Sequence, residues 1–370
     1  VNDVVFFLPA INPYWRDRFN ALAESGTVRF HCVFSSYLDP SRSWTVTRES
    51  MNFPHTFLAT GPRSPRRLAE LVSLWRALRP TRVFTFHHMP ALWPAWLHRL
   101  AGGHLALYAL MTWDSWVERN WRKELLKKLF FGSASSTLTP GPDSDSYVKR
   151  YGAHRSHRLH HAVEWRAFGL AARNRVTGDD LRLLYIGRLV PEKGIPFLLE
   201  VLEQVLRARR DVRIEIVGDG RLYDEVESWA QGHPGRVSVS PFVQASDIAE
   251  VYARSDVMLF PTLGDPYGLV VDEALASGVP VISTDRAGDI RWRLGESRGR
   301  VLPPDDLDRW VAAIVAYADD RELLARESAA SLSFSRGHGT ERWVRELQQW
   351  VQRTTPTRSR GRSRRRDQPA

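Results

Sequence analysis

Three stretches in the second half of the chain combine residue types suited to a phosphorylated ligand. The first is Gly187-Arg188-Leu189-Val190-Pro191-Glu192-Lys193-Gly194, directly after the apolar run 183–186. Arg188 and Lys193 stand five positions apart on a loop entering a helix. Both cations can therefore reach one diphosphate, the guanidinium as a planar fork and the ammonium as a point charge. Gly194 lets the chain turn into the helix. The second stretch, Val217-Gly218-Asp219-Gly220, is another strand end whose glycines allow close backbone approach. The third covers 261–282. It puts Asp265 in a loop and the amides of Tyr267, Gly268, Leu269 and Val270 in the first turn of a helix, where unpaired N–H groups make an anion site. Glu273 falls inside that helix. Asp265 before Pro266 also fits a plain helix cap, and Glu273 also fits a surface position. A carboxylate on an otherwise apolar helix more often needs a partner, and a ribose diol would serve.

These loops need strands to end at them. The sequence supplies apolar, β-rich runs at 4–8, 28–34, 83–86 and 105–111, and again at 181–186, 212–217, 237–239, 257–260 and 279–283. Helical spacing lies between and after them, for example at 65–78, 195–208 and 340–353. Such alternation in both halves predicts two parallel, doubly wound α/β domains. Ligands of such sheets bind beyond the carboxyl ends of the strands, so the cleft between the domains is the expected site. The expected division is an N-terminal domain 1–161, a polar connector 162–180, a C-terminal domain 181–335, a helix 336–353 able to cross back to the first domain, and a disordered tail 354–370.

The three stretches resemble the donor half of retaining glycosyltransferase family 4 enzymes of the GT-B fold, sharply over 181–290 and diffusely elsewhere. The matching features are the G-R-L-x-x-x-K-G loop and an acid-x7-Glu element followed by A-x-x-x-G-x-P-V. The resemblance implies two Rossmann-like domains facing across a cleft. It also implies transfer of a sugar from a nucleoside-diphosphate sugar to a hydroxyl of a glycan, glycolipid or small molecule. Arg188 and Lys193 would then hold the donor diphosphate, Asp265 would contact the donor sugar and Glu273 would bind the ribose. Phe242 and Val243 match the segment lining the nucleobase. Asp265 replaces the usual glutamate and has a shorter reach, which bears on the identity of the sugar. On the acceptor side, Asn12 and Tyr14 follow the first strand without the frequent glycine pair. Many members place a histidine after the strand corresponding to 105–111. Here that stretch reads Met111-Thr112-Trp113-Asp114, leaving Asp114, or His88 beside His87 at the preceding strand end, as catalytic candidates together with Asp265. No cofactor or metal is implied beyond the nucleotide sugar as co-substrate. Rival readings are a GT-B epimerase or phosphorylase-like enzyme and an arginine-rich nucleic-acid binder. The paired cations and acids favour the transferase, and the sequence carries no recognisable nucleic-acid module.

The remaining composition sets the surroundings. The 370 residues carry a formal charge of +10, with 52 basic residues of which five are lysines. Six arginines crowd the end of the chain, read as a solvated tail first and as an anchor for anionic lipid or nucleic acid second. Residues 114–131 interleave Trp116, Trp121, Leu125, Leu126, Leu129, Phe130 and Phe131 with Arg119, Arg122, Lys123, Lys127 and Lys128. One helix with its apolar stripe on the core is the first expectation. The same chemistry suits peripheral contact with an anionic membrane. A single cysteine, Cys32, and the lack of an apolar run of membrane-spanning length make the cytoplasm the expected compartment.

Overall fold

The computed structural model describes residues 2–37, 44–61, 64–86, 92–115, 120–173, 178–245 and 247–354. The first lobe runs β1 (Asn2–Ala10), α1 (Pro13–Ser25), β2 (Phe30–Ser36), β3 (His55–Phe57), α2 (Arg67–Leu78), β4 (Pro80–Phe86), α3 (Leu92–Leu100), β5 (His104–Tyr108), α4 (Trp121–Ser133), β6 (Ser136–Thr139), α5 (Pro142–Arg150) and β7 (Ser156–Arg158). The second runs α6 (Trp165–Arg173), β8 (Leu181–Ile186), α7 (Ile195–Ala208), β9 (Val212–Val217), α8 (Tyr223–Gln231), β10 (Val237–Ser240), α9 (Ile248–Ala253), β11 (Val257–Phe260), α10 (Leu269–Ala276), β12 (Val281–Thr284), α11 (Ile290–Leu294), β13 (Gly299–Leu302), α12 (Leu307–Asp319) and α13 (Arg321–Arg336). A last helix, α14 (Thr340–Arg353), follows.

The strands pair in parallel throughout both sheets. The first sheet has the order β3-β2-β1-β4-β5-β6-β7 and the second β10-β9-β8-β11-β12-β13. Strand order reverses beside β1 and beside β8, and ligands of doubly wound sheets bind at such reversals. Helices cover both faces, so the strands read as continuous apolar runs. In β1, Val4, Phe6 and Leu8 pack on one side while Val5 and Phe7 pack on the other.

The chain crosses back at its end. Trp343, Val344, Leu347 and Trp350 of α14 join the first lobe's core beside Trp15 and Phe19 of α1. The Trp343 ring meets Phe19 at 5.8 Å and Trp15 at 6.3 Å, both edge-on. Truncating a fully buried tryptophan of this kind costs about 3–5 kcal/mol. The chain's last helix thereby fastens the end of the second lobe to the first.

Two segments differ from the sequence reading. The stretch read as a plain connector contains α6, which packs on α9 and α10. Its Phe168 is buried in the second lobe's core. The stretch 114–131 is not one helix. Asn120 caps α4 by accepting from the Arg122 amide at 2.9 Å, and residues 116–119, with Trp116 and Arg119, lie outside the described residues. Most of the apolar stripe of α4 also faces away from the core. Lys127, Phe130 and Phe131 face inward, the Lys127 ammonium donating to Glu124 and Tyr147 at 2.8 Å each. Trp121, Leu125, Leu126 and Leu129 face outward, with Trp121 at 70% and Leu125 at 62% exposure.

Candidate active site

The loop after β8 carries Arg188 and Lys193. Gly194 adopts φ 74, where an L side chain is strained, and any Cβ there would collide with the Pro261 carbonyl. The glycine lets α7 begin hard against the end of β11. The Tyr185 hydroxyl donates to the Arg188 carbonyl at 2.9 Å and fixes the loop. The loop after β9 is clamped to it, with the Leu189 amide donating to the Asp219 carbonyl at 2.8 Å. Gly218, at φ 149, leaves no room for a Cβ against the Gly187 carbonyl. The Asp219 carboxylate also accepts from the Phe242 amide at 3.2 Å, which ties in the third loop.

These loops line a cavity of about 350 Å³ that includes Arg188, Gly218, Phe242, Val243, Val270 and Glu273, with Tyr14 and Trp44 of the first lobe across it. Arg188 is exposed, and it forms no ion pair among the described residues. Glu273 is 2% exposed. Its Oε1 accepts from the Tyr14 hydroxyl at 2.6 Å, and its Oε2 from the Tyr252 hydroxyl at 2.8 Å. Burial pushes the Glu273 carboxyl above its ordinary range, and the two phenol donors oppose that shift. Each carboxylate oxygen retains capacity for a further donor.

Lys193 does not line this cavity. Its ammonium pairs with Asp265 Oδ2 at 2.6 Å, with both side chains mostly buried. Asp265 Oδ1 accepts from the Tyr267 amide at 2.9 Å. That amide is therefore engaged within the loop, contrary to its expected role, which leaves Gly268, Leu269 and Val270 as the first-turn donors of α10. The Tyr267 side chain is buried beneath Arg293. The Arg293 guanidinium is itself fully buried and stacks on the Tyr267 ring at 4.1 Å. It donates to the carbonyls of Gly268 at 2.9 Å and Gly288 at 3.2 Å, and to that of Tyr267. These bonds hold the start of α10 in place.

The first lobe's candidates fall in different places. Asn12 is a helix cap, its side chain accepting from the Trp15 amide at 2.9 Å. Tyr14, read on the acceptor side, reaches across the lobe junction, where α1 starts, and donates its hydroxyl to Glu273 of the second lobe. Asp114 is exposed on the turn after β5. That segment meets the second lobe, since a Cβ on Gly264 would lie 3.5 Å from the Ser115 carbonyl. His87 and His88 lie outside the described residues.

Several contributors carry no sequence signal. Arg18 is fully buried and donates to the Ala162 carbonyl at 2.8 Å and to His161 Nδ1 at 3.0 Å. Guanidinium only donates, so Nδ1 accepts and a neutral His161 carries its proton on Nε2. Burial, with Arg18 and Arg293 nearby, holds the His161 pKa far down and keeps the ring neutral. The same ring meets Tyr267 edge-on at 5.1 Å. A column of Arg18, His161, Tyr267 and Arg293 thus runs from α1 into the second lobe. Asp289 caps α5 across the junction, accepting from the amides of Asp143 at 2.8 Å and Ser144 at 3.3 Å.

Two facing doubly wound lobes with a loop-lined cavity at their junction define the GT-B class. Alr3699/HepE from Anabaena, solved in complex with UDP, superposes with a TM-score of 0.74, covering 95% of this chain and 99% of that one at 15% identity. Residues 180–320 match the family described as glycosyl transferases group 1, and the second lobe is a domain of that family. Similar curated proteins include an alpha-D-kanosaminyltransferase of Streptomyces kanamyceticus, 28% identical over 165 residues, which are 43% of this chain and 43% of that protein. A GDP-mannose-dependent alpha-mannosyltransferase of Mycobacterium tuberculosis is 30% identical over 214 residues, 54% of this chain and 53% of that protein. The chain thus spans about half the length of these curated relatives.

Proposed function

We propose that this protein is a retaining glycosyltransferase that moves a sugar from a nucleoside-diphosphate sugar to a hydroxyl acceptor. The observation that carries this reading is the cavity that sets Arg188, the first turn of α10 and the buried carboxylate Glu273 beside one another. Glu273 accepts hydroxyl donors, as a ribose would supply. Arg188 and the amides of Gly268, Leu269 and Val270 meet the diphosphate. Lys193 reaches the same diphosphate from the loop it shares with Arg188, and its partner Asp265 serves the donor-sugar end of the site. The complex of a structural neighbour with UDP agrees with a nucleotide in this cleft.

In the reaction, the bond between the anomeric carbon and the diphosphate oxygen breaks. The acceptor hydroxyl oxygen bonds to that carbon from the same face, and its proton passes to the departing diphosphate. Positive groups already in place stabilise the charge that grows on the leaving oxygen. Arg188 and Lys193 supply that positive charge, so the reading needs no divalent ion. Asp114, on the turn after β5, is the catalytic candidate of the first lobe. Incubating the protein with a panel of nucleotide sugars and following hydrolysis and anomeric configuration by NMR tests the reading. Release of one nucleoside diphosphate with retention supports it, and inertness toward every nucleotide sugar overturns it.

A second reading concerns the surface of the first lobe. The outward face of α4 carries Trp121, Leu125, Leu126 and Leu129, and the neighbouring α3 exposes Leu97 and Leu100. The helices are adjacent, since Trp96 donates to Ser133 at 2.9 Å. The exposed charges of α4, Arg122, Lys123 and Lys128, are all cationic, whereas Glu124 bonds inward to Lys127. An apolar stripe with a cationic border fits an anionic lipid surface and would bring a glycolipid acceptor to the cleft. Co-sedimentation with phosphatidylglycerol vesicles tests this, with Leu125→Glu expected to weaken binding. A protein that stays in the supernatant at low salt removes the idea.

A further inference from the structure

The first lobe reaches into the cavity with two aromatic side chains, although the second lobe supplies most of the lining. The Tyr14 phenol donates to Glu273, 259 positions along the chain, at 2.6 Å. Trp44 stands edge-on to the Tyr14 ring at 6.0 Å and 88°. Both line the cavity together with Val243 and Gly218. The next residue, Thr45, donates to Gln244 at 3.1 Å, directly beyond the Phe242-Val243 segment. The strip 44–46 of the first lobe therefore lies against the loop after β10. Val46 is buried in the first lobe's core, which anchors the strip at its other end.

We infer that the nucleoside pocket is shared between the lobes, with Trp44 and Tyr14 forming an aromatic wall that packs on the nucleoside and makes it, rather than the diphosphate, the part that draws the lobes together. This rests on the donor-site reading above and adds a specificity element from the opposite lobe. A nucleobase presents a flat face, and an indole at the pocket wall is well suited to cover it. Tyr14 acts at the ribose end. Its hydroxyl holds Glu273 Oε1, so the carboxylate is oriented before any ligand arrives, and that oxygen keeps a second lone pair for a ribose hydroxyl. The diphosphate end, at Arg188 and the first-turn amides of α10, is given to neither aromatic residue, since Tyr14 meets α10 further along, at Glu273.

The test compares titration of nucleoside diphosphates and of inorganic pyrophosphate by calorimetry. Trp44→Ala should weaken binding of the preferred nucleoside diphosphate about tenfold, the size of losing one base–aromatic stack, and leave pyrophosphate unchanged. Trp44→Phe should restore most of the affinity. Unchanged nucleoside diphosphate affinity in Trp44→Ala overturns the inference, as does an equal loss for pyrophosphate. A second readout uses the wild-type protein alone: amide exchange over 44–46 should slow with nucleoside diphosphate and not with pyrophosphate. Absence of that protection also overturns it. If the wild-type protein binds no nucleoside diphosphate at all, the donor-site reading fails instead.

Discussion

The ammonium of Lys193 lies 2.6 Å from Asp265 Oδ2, while Asp265 Oδ1 holds the Tyr267 amide. One carboxylate therefore ties the loop after β8 to the start of α10. The pair fixes the position of a charge that a leaving diphosphate would need. The two cations are thus prepared differently: Lys193 is held by a carboxylate, and Arg188, on the same loop, lines the cavity without an ion pair among the described residues.

Replacing Lys193 by alanine should raise the transfer barrier by ~2–4 kcal/mol, comparable to losing one charge-stabilising donor. Steady-state kinetics of donor turnover measures it. Near-normal turnover would mean that the charge at this position is not used in the reaction.

If Arg188 and Lys193 provide the positive charge at the diphosphate, as proposed, transfer should continue in excess EDTA. Loss of activity on chelation, restored by magnesium, would show that these cations are not sufficient.

Gly141 packs so closely on the Asp289 side chain that a Cβ would collide with it. Gly141→Ala should displace Asp289 from the amides of Asp143 and Ser144 and cost about 1–3 kcal/mol, the usual range for overpacking a filled site. Urea unfolding reads this directly, and an unchanged midpoint would contradict the close contact at the lobe junction.

Acid should destabilise the protein as its buried histidines are forced to charge. Burial, the largest cause for both, lowers His104 and His338 from the ordinary 6.5 to about 4. Between those values the unfolded chain binds protons at these rings and the folded chain does not, so stability rises with pH across this window and falls on acidification. Urea midpoints taken at intervals across that window should decline steadily toward its acid end. A flat profile would mean that these rings are not shielded as the structure places them.

Much of the architecture is legible in the sequence because the strands are buried on both faces. The runs at 181–186, 212–217 and 257–260 coincide with β8, β9 and β11, and the spacing at 195–208 and 340–353 coincides with α7 and α14. Short edge strands such as β3 and β13 have little apolar length to mark them, and the pattern passes them over. The stripe of α4 points away from its expected side because the helix carries more apolar residues than its inward face can bury. At the site, the loop cations and Glu273 stand out by type and spacing. Their partners do not. Tyr14 meets Glu273 only through the docking of two lobes, and Arg18 and Arg293 are buried in a chain where arginine is mostly a surface residue.

The cationic grip stands or falls on calorimetric titration of nucleoside diphosphates into the wild-type protein and into Arg188→Ala. The wild type should bind one nucleoside diphosphate selectively, and the variant should bind it at least tenfold more weakly, roughly the loss of one charge-assisted bond. Equal affinity in both proteins, or no binding to the wild type, would contradict it.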